Sequence, residues 1–134
     1  MKKLLYILLF TIPFVGFGQS MNIEWEDRDG REFSINSNSG RFSYSMVSGD
    51  QLEYNNSNQY DYKNTGGSSG TIRKVGNVTI EYNNSNQYDY KNTGPDGTIR
   101  KVGGLVIEYN NSNEYDYKNT GPDGTIRKTS GSVN

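Results

Sequence analysis

Apolar and polar residues alternate along short stretches of this chain. Ile80 and Tyr82 fall on one side of a phrase whose intervening Glu81 falls on the other, and Ile107 and Tyr109 repeat the pattern around Glu108. A period of two is the mark of a β-strand with one covered and one solvated face. The same alternation sets Tyr88 and Tyr90 against Asp89 and Lys91, and it sets Tyr115 and Tyr117 on the face of Ile107 and Tyr109. Ile99 extends the aromatic face. Thr98 and Arg100 extend the charged one, where Glu81, Asp89 and Arg100 are expected to pair across strands. Exposed pairs of this kind contribute about 0.2–1 kcal/mol each. From residue 19 onward no stretch shows the three-and-four apolar spacing of a helix, so no helix is predicted.

Glycine punctuates these strands. Val75-Gly76-Asn77-Val78 and Val102-Gly103-Gly104-Leu105 place a two-residue turn between apolar neighbours, which predicts tight hairpins. Gly94-Pro95-Asp96-Gly97 and Gly121-Pro122-Asp123-Gly124 combine a proline-set φ with a glycine free to adopt positive φ, and each is expected to join antiparallel strands. Gly67-Ser68-Ser69-Gly70 is a looser version. The tract Asn83-Asn84-Ser85-Asn86 either bends one long strand or closes a further hairpin, leaving two or three strands per unit.

The phrase EYNNSNQYDYKNTG occurs three times, starting at Glu53, Glu81 and Glu108, with Glu114 for glutamine as its one change. Each copy runs on through a glycine turn to Thr-Ile-Arg-Lys. Such spacing marks an array of one small unit whose neighbours complete its core. The predicted fold class is all-β: an antiparallel β-meander of three tandem 27–28-residue repeats plus an N-terminal β cap. The repeats are expected at 52–78, 79–105 and 106–128, with a flexible C-terminal tail at 129–134. Burying one large apolar side chain stabilises by roughly 1.5–3 kcal/mol, and ordering each residue costs about 1.5 kcal/mol. The aromatic face must therefore curl on itself, receive the N-terminal segment or meet another molecule.

Residues 19–51 form the non-repetitive part. Asn22-Ile23-Glu24-Trp25-Glu26 and Arg31-Glu32-Phe33-Ser34-Ile35 flank Asp27-Arg28-Asp29-Gly30 as a hairpin, and Phe42 and Tyr44 sit on a further strand. This cap is expected to join the same sheet, with Trp25 in its core. Ahead of it, Lys2 and Lys3 precede an apolar run from Leu4 to Phe17, with Gly16 and Gly18 before Gln19: a cleaved secretory signal over 1–18. The run falls short of the roughly 20 apolar residues that a transmembrane helix needs, so no membrane span is expected after processing. The protein is placed outside the cytoplasm, as a secreted, periplasmic or cell-surface protein. Export permits disulfides, but the chain has no cysteine, and so no lipid-attachment site on a processed N-terminus either.

Without Lys2 and Lys3, 12 of the 14 basic residues face 15 acidic ones, a net charge of −3, and no basic patch points to nucleic acid. From Gln19 onward 17 of 116 residues are Leu, Ile, Val or Phe. That is below the roughly 20% that accompanies folding, so disorder competes with order. The low net charge and the ten tyrosines that follow the leader favour order.

Gly76-Asn77-Val78-Thr79-Ile80-Glu81-Tyr82, followed by Gly97-Thr98-Ile99-Arg100-Lys101-Val102-Gly103, is similar to the G-x-V-x-I-x-Y and G-x-I-x-K-(I/V)-G phrases of uncharacterised secreted bacterial β-repeat proteins. Tyr88-Asp89-Tyr90 and its glycine turn loosely resemble the YD repeats of large toxin-delivery shells. The resemblance spans residues 52 to 128. It departs in the Asn-rich insertion and in a chain far too small to build a shell. It implies a β-repeat surface protein without a known catalytic role.

Histidine and cysteine are absent, which excludes His-based triads, thiol nucleophiles and ordinary zinc sites. No catalytic, metal or cofactor site is assigned, and no cofactor is expected. Glu53 with Asp61, Glu81 with Asp89 and Glu108 with Asp116 are carboxylate pairs of the kind that flank a glycosidic bond, yet they read better as charges on a solvated strand face. Asp27-Arg28-Asp29-Gly30 starts like a calcium loop but lacks the remaining ligands and the closing glutamate. Asn55-Asn56-Ser57, its two copies and Asn77-Val78-Thr79 match glycosylation acceptors; behind a bacterial-looking leader they read as turn and ladder residues.

The candidate binding row is Tyr54, Tyr60, Tyr62, Tyr82, Tyr88, Tyr90, Tyr109, Tyr115 and Tyr117. Tyrosine rings and hydroxyls suit sugar rings, and three units multiply weak affinity. The competing reading makes these residues the core. The leading function is an exported, non-enzymatic β-repeat module offering a structural or adhesive surface to glycan or envelope protein. A self-assembling, amyloid-like fibre subunit is the second reading, since Asn and Tyr ladders favour cross-β stacking. Glycines, Pro-Asp-Gly turns and gatekeeper Lys and Arg residues oppose it. An enzyme such as a glycan hydrolase is the third. Export makes a direct prediction: N-terminal sequencing of the secreted protein should start at or near Gln19, and a product retaining Met1 would remove the signal-peptide reading.

Overall fold

The computed structural model describes residues 22–37 and 41–134, so the expected secretory signal lies outside the described residues. Its strands are β1 (Asn22–Glu26), β2 (Glu32–Asn36), β3 (Phe42–Tyr44), β4 (Leu52–Tyr54), β5 (Ile72–Val75), β6 (Val78–Tyr82), β7 (Ile99–Val102), β8 (Leu105–Tyr109) and β9 (Ile126–Ser130). They form two antiparallel sheets, β1-β2-β3 and β4-β5-β6-β7-β8-β9, each in chain order. The chain is an all-β meander, and among the described residues no helix is long and apolar enough to cross a membrane.

Gly76-Asn77 and Gly103-Gly104 close tight hairpins, with Val75 opposite Val78 and Val102 opposite Leu105. In both turns the first residue alone has positive φ, 60° at Gly76 and 59° at Gly103. That is the glycine-first turn whose twist matches the strands it joins. β6 and β8 thus begin at Val78 and Leu105, one residue ahead of the boundaries at 79 and 106 read from the sequence.

The Pro-Asp-Gly turns do less than expected. β6 and β7 are joined by all of residues 83–98, and Gly94-Pro95-Asp96-Gly97 is only the last bend of that loop. There Thr98 N–H donates to Pro95 O at 3.2 Å, Gly97 N–H donates to Asn83 O at 2.9 Å, and Gly97 has a φ of 87°. Residues 55–71 and 110–125 make the corresponding connections β4–β5 and β8–β9. Each copy of the phrase therefore contributes the end of one strand and a long loop. Tyr88 and Tyr90, expected on a strand, lie in that loop.

Register explains which residues turn inward. Ile80 faces Val102, Glu81 faces Lys101 and Tyr82 faces Ile99, with a shift between Glu81 and Tyr82 that leaves Arg100 as the extra residue of a bulge. Ile99 and Val102, three apart, are thereby both buried, while Arg100 and Lys101 stay partly exposed on the charged side. Val75, Val78, Ile80, Tyr82, Val102, Ile107 and Tyr109 share one core cluster with Phe33 and Ile35, and Trp25, Phe42, Tyr44, Leu52 and Ile126 pack against it. The cap consequently covers the core as a separate three-stranded sheet instead of extending the long one. Phe33 stacks on Phe42 at 6.1 Å.

Arg31 ties this cap to the long sheet. Its buried guanidinium lies 2.8 Å from Asp27 Oδ2, 2.7 Å from Asp50 Oδ1 and 3.0 Å from Asn77 Oδ1, spanning the cap, the linker and the β5–β6 turn. Bonds to Asp50 and then Asp27 hold the guanidinium charged well above its usual range, and Arg31 in turn holds the Asp50 carboxyl below its own. The Asp27-Arg28-Asp29-Gly30 turn thus spends its first carboxylate on an arginine, and among the described residues no acidic cluster is placed to hold a metal ion.

Residues 129–134 are docked instead of forming a free tail. Thr129 and Ser130 complete β9, Val133 is buried, and Val133 O accepts Gly104 N–H at 3.2 Å. The side-chain-free turn at Gly103 leaves room for this approach, since a Cβ there would overlap Val133 O.

Tyr82 and Tyr109 belong to the core, and their hydroxyls donate to Ile72 O and Ile99 O, both at 2.6 Å. Burial pushes the Tyr82 phenol up to about 12 and raises that of Tyr109 as well. Tyr82→Ala should therefore cost about 3–5 kcal/mol, by analogy with other large aromatic truncations, and Tyr82→Phe about 1 kcal/mol for the hydroxyl bond. Tyr90→Ala should stay within about 0.5 kcal/mol. Denaturant midpoints measure all three, and equal losses at Tyr82 and Tyr90 would contradict this placement.

Candidate functional site

The three loops that carry the remaining tyrosines are built from asparagine. In the middle copy, Asn83 is fully buried; its Oδ1 accepts Thr93 N–H at 2.7 Å and its Nδ2 donates to Thr98 Oγ1 at 3.0 Å, pinning both ends of the loop. Asn84 Oδ1 accepts Asn86 N–H, Asn86 Oδ1 accepts Tyr88 N–H, and Asp89 Oδ1 accepts Lys91 N–H, at 2.9, 3.0 and 2.9 Å. Each is a short polar side chain capturing the backbone two residues on, which bends the chain where a strand would offer those N–H groups to a neighbour. Asn92 Nδ2 closes the ring by donating to Asn84 O and Asn86 O, both at 3.1 Å.

Asp89 is the hub of the polar side. Its Oδ2 accepts Asn84 Nδ2 at 2.8 Å and lies 3.3 Å from Arg100 Nη1, while Arg100 Nη2 lies 3.5 Å from Glu81 Oε1. The expected grouping of Glu81, Asp89 and Arg100 is present, although Asp89 reaches it from a loop. Glu53, Asp61 and Arg73 repeat it at 3.4 and 3.3 Å, and Glu108, Asp116 and Arg127 at 3.6 and 3.1 Å. The Asn56 and Asn111 side chains, followed by backbone N–H groups and the arginines, hold Asp61 and Asp116 down at about 2, and Asn84 with its neighbours lowers Asp89 likewise.

This frame divides the predicted tyrosine row. Tyr82 and Tyr109 are inside, and Tyr54 is half-exposed. The other six point to solvent with the same values in every copy: 83% for Tyr60, Tyr88 and Tyr115, and 89% for Tyr62, Tyr90 and Tyr117. Asn55, Asn83 and Asn110, the sequon asparagines of the three copies, are buried, and each Oδ1 accepts a threonine N–H from its own loop. Beside the first loop, a cavity of about 340 Å³ is lined by Glu53, Tyr62, Lys63, Thr65, Arg73 and Lys74. Its lining combines an aromatic ring with charged donors and acceptors. Arg73 Nε in its wall is buried and paired with Glu53 Oε1 at 3.4 Å.

Sequence reasoning missed this cavity and the buried role of the first asparagine in each copy. The bends of the loop did have a signal in the spacing: Asn84, Asn86 and Asp89 precede by two the residues whose N–H they capture. Compared with protein-family models, curated proteins and solved structures, the chain matches none. Function is therefore read from its own residues.

The aspartate hubs give a pH dependence. Their folded pKa values lie below the usual carboxylate value of about 4, so their contribution is complete above that value and is lost as pH falls through the folded pKa. Carboxyl-carbon NMR should show Asp61 and Asp116 titrating near pH 2, with the Asn56 and Asn111 side-chain amide signals shifting in step. Titration of both near 4 would contradict the hub geometry.

Proposed function

We propose that this chain is an exported, non-enzymatic β-repeat module that presents an adhesive surface to glycans or envelope proteins. The observation that carries this reading is the pair of solvent-facing tyrosines in every loop, held on a frame of hydrogen bonds that does not need them. Exposed aromatic rings on a rigid backbone offer large contact area at little ordering cost. The cavity beside Tyr62 is lined by one aromatic ring and by charged and hydroxyl side chains, a mixture that suits a sugar ring, within the roughly 300–1,000 Å³ typical of ligand sites. Export is supported by the Lys2-Lys3 and Leu4–Phe17 pattern of the N-terminus.

The non-enzymatic part rests on the pairing of the carboxylates. Each Glu–Asp pair shares an arginine, whose ion pairs tie up both carboxylates and favour the charged aspartate, whereas a glycosidase needs one carboxyl kept protonated as its acid. These pairs serve to position the loops.

Binding to a glycan array should fall at least about tenfold when Tyr62, Tyr90 and Tyr117 are changed together to Ala, and less for any one alone, because three weak contacts act jointly. The unfolding midpoint should stay unchanged. Unaltered binding by the triple variant to a glycan that the wild type captures would remove the tyrosines from the proposal.

A further inference from the structure

The first and second loops each seat the first tyrosine of the next copy. Thr65 O accepts Tyr82 N–H at 3.0 Å, and Thr93 O accepts Tyr109 N–H at 2.9 Å. Glycine lies against each ring: a Cβ on Gly67 would come within 2.7 Å of Tyr82 Cδ1, and one on Gly94 would overlap the Tyr109 ring. The hydroxyls reach Ile72 O and Ile99 O on the strands of the preceding copy. The same three contacts thus occur twice.

The two ends of the array expose the two halves of that contact. Tyr54 follows no copy of the repeated loop and is 51% exposed, against 6% for Tyr82 and 2% for Tyr109. Thr120 and Gly121 are exposed where Thr93 and Gly94 are half-buried. The nearest atoms to a Cβ on Gly121 are Asn110 Nδ2 at 3.5 Å and Thr125 Oγ1 at 3.6 Å, and its φ is not left-handed. Among the described residues nothing requires glycine at 121, whereas a seated ring does.

We infer that Tyr54 of one molecule occupies the Thr120–Gly121 seat of a second copy, joining molecules head to tail. Such a contact uses different surfaces on the two partners, so it propagates into open chains unless the rotation closes a ring. It continues the junction between copies of the phrase and is distinct from cross-β stacking. Near the seat, Ile126 N–H donates to Ser37 O at 3.2 Å, so the cap already touches the outer edge of β9. Asp50 and Thr129 stand where Val78 and Val75 pair inside the sheet. The newcomer gains a tyrosine seat without that apolar pair or the covalent turn, and the association is weak and reversible.

Sedimentation velocity should show the weight-average mass of the purified chain rising as its concentration approaches about 1 mM, the effective concentration that a short tether supplies. Tyr54→Ala removes the head and Gly121→Val blocks the seat; each variant alone should remain monomeric with an unchanged unfolding midpoint. Mixed one to one, they retain one head and one seat between them and should form heterodimers and nothing larger. A wild-type chain that stays monomeric throughout, or a single variant that associates like wild type, would overturn the proposal. Tyr62, Tyr90 and Tyr117 are intact in both variants, so glycan binding by either one distinguishes failure here from failure of the adhesive reading.

Discussion

The seating of one tyrosine on the preceding loop is the contact on which the long sheet depends. Beyond each tight turn the strands pair over very little length: β5 and β6 meet only at Lys74–Thr79 and Val75–Val78, and β7 and β8 only at Lys101–Val106 and Val102–Leu105. They then diverge, which would leave Ile72 O and Ile99 O inside without donors. Buried carbonyls without partners are costly, so the gap must be filled by something both polar and large. The tyrosine supplies its hydroxyl to the carbonyl, its ring to the core and its N–H to the loop's threonine. Phenylalanine would fill the space but leave the carbonyl, and a shorter hydroxyl residue would do the reverse.

A chain so poor in Leu, Ile, Val and Phe orders three long loops because their scaffolding is polar. Asn55, Asn83 and Asn110 are buried with both ends of the amide bonded, and the Asn–Asn–Asp spacing satisfies the backbone locally. A single net hydrogen bond contributes only about 0.5–1.5 kcal/mol, and exposed ones less. Many of them closing one small ring restrict the loop without burying apolar surface. The apolar residues are thereby reserved for the strands, where the cap's Phe33 and Ile35 complete the cluster.

The strands and tight turns were legible because period-two alternation and paired glycines act locally, as at Ile80–Tyr82 and Gly76-Asn77. The charged triad of Glu81, Asp89 and Arg100 was legible as a grouping, though its route through a loop was not. Alternation misled at Tyr88 and Tyr90, where Asp89 and Lys91 imitate a strand's outer face while Asn84, Asn86 and Asp89 take the backbone N–H groups that a strand would share. The cap's separate sheet and the docking of Val133 depend on long-range packing, on Arg31 reaching Asn77 and on Gly104 meeting Val133, which no local pattern records.

One residue type thus performs two tasks, sorted by its position relative to the asparagine tract. The tyrosine before the tract continues a strand and, in the second and third copies, enters the core; the two that follow stand on a frame whose bonds run through asparagine, aspartate and arginine side chains and the backbone. Removing an outer ring leaves every one of those bonds in place. Surface and core are therefore mechanically uncoupled: the six outer positions can change without disturbing the repeated frame that holds the fold. A surface built this way is preorganised, since its backbone order is already imposed by the frame.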